Sequence, residues 1–199
     1  MPETVVPVVG LTGGMGAGKS TALEIFRRHG AAVLSTDAVV HELFAKEEVR
    51  DAMVERFGAE VAPEGVVDRS AVATRAFASE EGRAWLEQFL WPRVGERVGE
   101  WLEQVRRDTP PPRAAVIEVP LLFESGTADG YDATVAVIAE EPLRRGRADG
   151  RGHALADERS SRQLPQEEKA RRATFVVRND GTEEDLEREL SAVLDKLDR

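Results

Sequence analysis

The sequence predicts a doubly wound α/β fold built on one parallel sheet, and three observations carry the prediction. Five short apolar runs, Val8–Thr12, Ala32–Ser35, Ala114–Val119, Thr134–Ile138 and Thr174–Val177, are rich in valine and nearly continuous rather than alternating. That is the pattern of strands buried on both faces. Most of them are separated by stretches of helical periodicity, as parallel crossovers require. A glycine-rich turn follows the first run at once, at the carboxyl end where open parallel sheets bind ligands.

Each element has a local reason. The first helix is expected from Lys19 to about His29, with Gly30 closing it. A second helix starts near Asp37, and Val49, Met53 and Phe57 then repeat at helical spacing. Trp85, Phe89, Val94, Val98, Trp101, Leu102 and Val105 predict a long helical segment, interrupted or kinked at Pro92. The stretch from Lys46 to Arg107 is far too long for a simple crossover, so it reads as an inserted helical subdomain. Thr109-Pro110-Pro111-Pro112 is the linker that returns the chain to the sheet. The last helix opens on Thr182-Glu183-Glu184-Asp185, close to a capping box, and buries Leu186, Leu190, Val193 and Leu197.

Composition removes several classes of function. A chain of 199 residues suffices for one α/β domain with an insertion. It has no cysteine, which excludes disulfides, thiolate metal sites and cysteine nucleophiles. No apolar run approaches the roughly 20 residues of a membrane span. Met1-Pro2-Glu3-Thr4 lacks the basic start of a signal peptide, so the expectation is a cytoplasmic protein with no membrane association. The formal net charge of −10 argues against nucleic-acid binding. From Arg144 to Arg172, however, nine Lys/Arg face five Asp/Glu, a basic island suited to a small anionic ligand. His29, His41 and His153 have no metal-ligand spacing.

The chemistry starts at Gly13-Gly14-Met15-Gly16-Ala17-Gly18-Lys19-Ser20, which matches G-x-x-x-x-G-K-[ST] and is followed by Thr21. A strand precedes it and a helix-permissive run follows, as this P-loop motif requires. The glycines let successive N–H groups point at phosphate oxygens, and the helix N-terminus adds its partial positive charge. Gly14, Gly16, Ala17, Gly18, Lys19, Ser20 and Thr21 are therefore the candidate ATP-binding residues. Lys19 is expected to reach the β- and γ-phosphates, and the Ser20 hydroxyl to ligate Mg²⁺.

Three further features bear on catalysis. Asp37 lies just beyond the second strand, where a carboxylate can accept or orient the proton of a substrate hydroxyl; it also has the makings of an N-cap for Ala38–Phe44. Glu118 ends the third strand, where an acid can hold the Mg²⁺ shell. Arg147 and Arg151 stand four apart among Gly146, Gly150 and Gly152, which suits a lid whose guanidinium groups stabilise charge on the phosphates. Arg144 and Arg145 are rivals that spacing does not separate from them.

At this point the chain resembles a specific family. Gly10-Leu11-Thr12-Gly13-Gly14-Met15-Gly16-Ala17-Gly18-Lys19-Ser20-Thr21 is similar to the opening of dephospho-coenzyme A kinases. Asp37, Val66-Val67-Asp68-Arg69, Phe77 with Trp85-Leu86-Glu87, and Val119-Pro120-Leu121-Leu122-Phe123-Glu124 match further family segments. Arg147 and Arg151 match its paired lid arginines, and Gln163, Lys169, Asn179 and Gly181 its closing pattern. The resemblance implies transfer of the ATP γ-phosphate to the ribose 3′-hydroxyl of dephospho-coenzyme A. It also implies a P-loop fold of strand order 2-3-1-4-5, with a nucleotide-binding core at 1–45, 108–143 and 170–199. The acceptor-binding insertion would be 46–107 and the lid 144–169. Lys19, Asp37 and Arg147 would be catalytic, with Asp37 as base or hydroxyl-orienting group. Arg69 and Leu122 would lie on the acceptor side, and Arg151 and Asn179 on the ATP side, Asn179 near the adenine.

The chain departs from that pattern at Ser35-Thr36-Asp37, where D-A-D is usual, at Trp91-Pro92 for H-P, and at Ala173-Thr174 for A-D. The lid is about three residues short. These departures concern the acceptor more than ATP. The rival classes are a P-loop kinase of another small-molecule acceptor and a non-catalytic ATP-dependent regulatory module. Asp37 together with both lid arginines speaks against the module, because a switch has no acceptor hydroxyl to orient.

Overall fold

The computed structural model describes residues 5–148 and 162–198. Five parallel strands, β1 (Val8–Gly13), β2 (Ala32–Ser35), β3 (Ala115–Glu118), β4 (Ala133–Ile138) and β5 (Phe175–Arg178), form one sheet in the order β2-β3-β1-β4-β5. The expected order is thus observed. Leu11 and Ser35 both sit opposite Glu118, and Gly13 opposite Val137, so the strands end at a common edge. The P-loop, Asp37 and Glu118 all lie at or just beyond that edge.

Helix α1 (Lys19–Arg28) follows β1 and ends as expected. Gly30 takes φ +87° and donates to the Arg27 carbonyl, while Ala31 donates to Phe26, closing a Schellman motif. Helix α8 (Glu183–Leu197) opens with a true capping box between Thr182 and Asp185. It packs Leu186, Leu190, Val193 and Leu194 with Ile25 and Phe26 of α1 beneath Val9, Leu11, Val116, Val135 and Val137. This first core is the platform of the sheet. At about 25 cal/mol per Å² of apolar area removed from water, such fully buried side chains supply most of its stabilisation.

A second core lies among the helices, with Leu34 of β2 packed against it. It joins α2 (Thr36–Phe44), α3 (Glu47–Phe57), α4 (Arg69–Ala76) and α5 (Glu80–Arg107) around Val39, Leu43, Val49, Met53, Leu86 and Leu90. Phe57 meets Trp85 edge-on at 5.3 Å, and Trp85 stacks on Phe89 at 5.1 Å. The expected interruption at Pro92 does not occur, for α5 runs 28 residues through it. Pro92 and Gln88, the residue whose carbonyl loses its partner, are both exposed, so the lost bond falls at the surface of the helix. The chain then passes to β3, continues through β4, and is completed by α6 (Glu141–Ala148) and α7 (Gln166–Arg172) on either side of the undescribed 149–161.

The structure also corrects the local role foreseen for Asp37. The N-cap of α2 is Ser35, whose side chain makes no capping bond, and Asp37 falls inside the first turn. What anchors this helix start is Thr36, whose hydroxyl donates to the Glu118 carbonyl at 2.9 Å. The two strand ends β2 and β3 are thereby stapled, and Asp37 remains near the positive end of the helix dipole.

Candidate active site

The glycine-rich loop from Gly13 to Gly18 wraps from β1 into α1. Ala17 donates to the Gly14 carbonyl at 3.2 Å, and the Lys19 ammonium donates to the same carbonyl at 3.1 Å. Two glycines are there because nothing larger fits. A Cβ on Gly16, at φ +73°, would stand 2.3 Å from the Arg144 carbonyl oxygen. One on Gly18, at φ +96°, would stand 2.1 Å from the Asn179 side-chain nitrogen. The loop is therefore shaped by α6 and by the segment after β5, not by its own sequence alone.

Asn179 is buried and donates from Nδ2 to the Ala17 carbonyl at 2.8 Å. Its own carbonyl accepts from Arg147 Nη1 at 3.2 Å. Arg144 lies directly on the loop, donating from Nε to the Met15 carbonyl at 3.1 Å, with its charge met by Glu141 at 3.0 Å. The rival arginines are thus separated by their surroundings. Arg144 touches the P-loop, Arg147 touches the residue that braces it, and Arg145 is exposed and turned toward Glu141. Arg151 lies outside the described residues. Ser20 is exposed at the start of α1, and Thr21 is half-buried one residue on.

Burial lowers the pKa of Lys19, with Lys169 and Arg144 acting in the same direction, while Glu118 and Asp37 oppose the shift. Five elements thus bring their charges together at the sheet's edge. Glu118 is almost fully buried at the end of β3. Beside Asp37 opens an apolar cavity of about 300 Å³, bounded by Thr36, Val40, Trp91, Val94, Pro120 and Tyr131. A second cavity of about 350 Å³ lies across the loop, between Gly14, Glu141, Arg144, Gln163 and Gln166, and is more polar.

The two remaining acceptor-side expectations fall differently. Arg69 heads α4 and its Nη1 lies 3.3 Å from Nδ1 of His41, one turn beyond Asp37 on α2. Leu122, by contrast, is fully buried, packed where a Cβ on Gly10 would meet it at 2.9 Å. Its contact is with the sheet, and the neighbouring Leu121 is the side chain that lines the cavity.

Sequence reasoning missed the centre of the arrangement. Lys169 on α7 is completely buried, and its ammonium donates to the Pro120 carbonyl at 2.6 Å and the Thr12 hydroxyl at 3.2 Å. It pairs with Glu124 at 3.0 Å, whose carboxylate also accepts from the Leu164 backbone at 2.7 Å. Burial lowers the Lys169 pKa, and the bond to Glu124 opposes that. One cation therefore ties the P-loop strand, a wall of the apolar cavity and the base of the second cavity together. Gln166 completes the attachment, bridging the N–H and C=O of Ala139 past the end of β4. In the sequence, Lys169 stands in Gln166-Glu167-Glu168-Lys169-Ala170-Arg171-Arg172, which reads as a solvated helix. The only signal was its place in the closing family pattern.

The family comparison now decides what the geometry belongs to. The dephospho-CoA kinase family model matches residues 7–185. The chain belongs to the dephospho-CoA kinase family. It is 40% identical over 186 residues to the dephospho-CoA kinase of Anaeromyxobacter dehalogenans, covering 90% of this chain and 86% of that one. With the Deinococcus radiodurans dephospho-CoA kinase it shares 39% over 193 residues, covering 96% and 92%. A crystal structure from Thermus thermophilus superposes with a TM-score of 0.79 at 34% identity, over 97% of this chain and 99% of that one. The P-loop kinase fold and the family resemblance read from the sequence are thereby both established.

Proposed function

We propose that this family member transfers the γ-phosphoryl group of ATP to the ribose 3′-hydroxyl of dephospho-coenzyme A, the last step in making coenzyme A. The observation that carries the reading is the convergence at one sheet edge of a P-loop, its lysine and Asp37, with an apolar cavity opening beside that carboxylate. Little covalent work falls to the protein in such a transfer, so its contribution is positioning and electrostatics.

Lys19 binds and neutralises the β- and γ-phosphates, exchanging its bond to the Gly14 carbonyl for phosphate oxygens. Asp37 orients the acceptor hydroxyl and takes its proton. Arg144 and Arg147, fixed against the loop and against Asn179, supply positive charge on the side of the second cavity. Asn179 serves the ATP site by holding the loop through Ala17. Arg151 extends the cationic side in the family pattern.

The donor chemistry fits Mg²⁺: Ser20 at the start of α1 and Glu118 at the end of β3 are hard oxygen donors that would hold the ion beside the bound phosphates. When bound, the ion neutralises charge shared by the β- and γ-phosphates. Residues 46–107 serve as the acceptor-binding part, 144–169 as the lid, and 1–45, 108–143 and 170–199 as the nucleotide core. Among the described residues no helix is long and apolar enough to cross a membrane, and we place the enzyme in the cytoplasm with small molecules as its partners.

The test is ADP release from ATP and Mg²⁺ with and without dephospho-coenzyme A, beside a panel of nucleosides, nucleotides and sugars. The expected result is ADP formation that depends on dephospho-coenzyme A, with a product heavier by one phosphoryl group on the 3′-oxygen. Turnover with a different panel member alone would overturn the acceptor assignment.

A further inference from the structure

The cavity beside Asp37 contains an aromatic side chain for which phosphoryl transfer has no use. Trp91, on α5, is 52% exposed and lines the cavity together with Asp37 and Thr36. An indole of that size left half in water on a soluble surface is a candidate contact for something flat and apolar. Tyr131 lines the same cavity, and burial raises its pKa, which keeps the phenol neutral and able to donate. Val40, Val94, Val98, Val119, Pro120 and Leu121 add apolar wall.

Substrate geometry limits what lies there. With the acceptor hydroxyl held at Asp37, the base on the same ribose can be no farther away than the width of that ring. The 5′-diphosphate must leave by another side and needs cationic partners. Those partners exist one helical turn away. His41 follows Asp37 by four residues on α2, roughly 6 Å along the axis, and meets the Arg69 guanidinium. The Arg69 Nε is buried with no hydrogen-bond partner among the described residues. An anion there would satisfy the arginine, whereas the apolar cavity would not accept one.

We propose that the cavity is the subsite for the adenine of the acceptor, with Trp91 as the ring on which the base stacks. The assignment rests on the acceptor reading given above and deepens it. It makes Trp91, which stands where the family pattern has histidine, a determinant of acceptor affinity rather than of catalysis.

Intrinsic fluorescence tests it directly, because the chain has only Trp85, Trp91 and Trp101. Full-length protein is titrated with dephospho-coenzyme A, or with 4′-phosphopantetheine, which lacks the adenosine. The ATP site is filled throughout with a non-hydrolysable ATP analogue and Mg²⁺. Dephospho-coenzyme A is expected to quench the parent protein and leave Trp91→Leu unchanged, and 4′-phosphopantetheine to quench neither. In steady state, Trp91→Leu should raise the acceptor KM about tenfold, the lower range of base–aromatic stacking. Its kcat and ATP KM should change by less than about threefold, and Trp91→Phe should recover most of the affinity. Equal quenching by 4′-phosphopantetheine would assign the cavity to the pantetheine arm and overturn the proposal. Turnover of dephospho-coenzyme A with an unaltered KM in Trp91→Leu would overturn the subsite alone. Absence of both turnover and quenching with dephospho-coenzyme A would overturn the acceptor reading along with it.

Discussion

The two cavities at the sheet's edge are built in opposite ways. The one beside the P-loop sets Gly14, in a loop whose backbone bends back on itself and whose lysine bonds to the Gly14 carbonyl, against the charged and amide side chains of Glu141, Arg144, Gln163 and Gln166. The one beside Asp37 draws its lining from α2, α5 and the segment between β3 and β4, and is largely apolar. The loop itself tolerates almost no change at Gly16 or Gly18, because Arg144 and Asn179 already occupy the space a Cβ would need. A side-chain-built site can change its occupant by one substitution. In the proposed reading, phosphate recognition starts from one local motif braced by remote residues, and acceptor choice rests on residues far apart in sequence.

Lys169 joins the two, and its removal is the largest disturbance expected. Lys169→Met leaves Glu124, which is 13% exposed, without its cation. Loss of one partner of a buried pair costs about 3–5 kcal/mol. Denaturant unfolding should show that loss, and Lys169→Met combined with Glu124→Leu should recover about half of it. If the single substitution proves neutral, the two cavities are not held together through this ammonium.

Lys19→Ala comes next, with kcat expected to fall about 10²-fold or more while the protein remains folded, since the cation proposed for the β- and γ-phosphates is removed. A smaller and one-sided effect is expected of Gly16→Ala. The new methyl group must displace the Arg144 backbone and adopt a left-handed conformation. The ATP KM should rise about tenfold, equivalent to ~1.4 kcal/mol, while the acceptor KM stays put. An equal rise in both KM values would mean the cavities are not independent in construction.

The smallest effect lies outside both sites. The Asp185 carboxyl is held at about 2, against an ordinary 3.8, first by the Thr182 backbone N–H and then by Arg188 and the Thr182 hydroxyl. Because the folded value is the lower one, this capping contribution is complete above about pH 4. It fades as the pH falls through 3.8 toward 2. Asp185→Asn should lower Tm by about 2 °C at neutral pH and by nothing measurable at pH 2, with kcat unchanged.

The contrast between the cavities also explains what could be read from sequence. The P-loop, the strands and the cap of α8 depend on neighbours a few residues away, so Gly13 to Ser20 and Thr182-Asp185 announce themselves. Asp37 was legible as a residue but not in its setting, because the bond that fixes α2 runs from Thr36 to Glu118, 82 positions on. Arg144 could not be told from Arg147, since only packing shows which one rests on Met15. Lys169 was hidden because nothing in a charged heptapeptide reveals which charge faces inward. Leu122 shows the same limit: Val119, Pro120 and Leu121 line the cavity while Leu122 packs under Gly10, a division that only the fold assigns.

The two cavities are expected to share one reacting point, the Asp37 carboxylate. Steady-state kinetics of Asp37→Asn against both substrates tests this most directly. The prediction is a kcat lower by about 10²-fold or more, with both KM values within about threefold of the parent, the signature of an interaction made in the transition state alone. A near-parental kcat would contradict the claim and remove Asp37 from the mechanism.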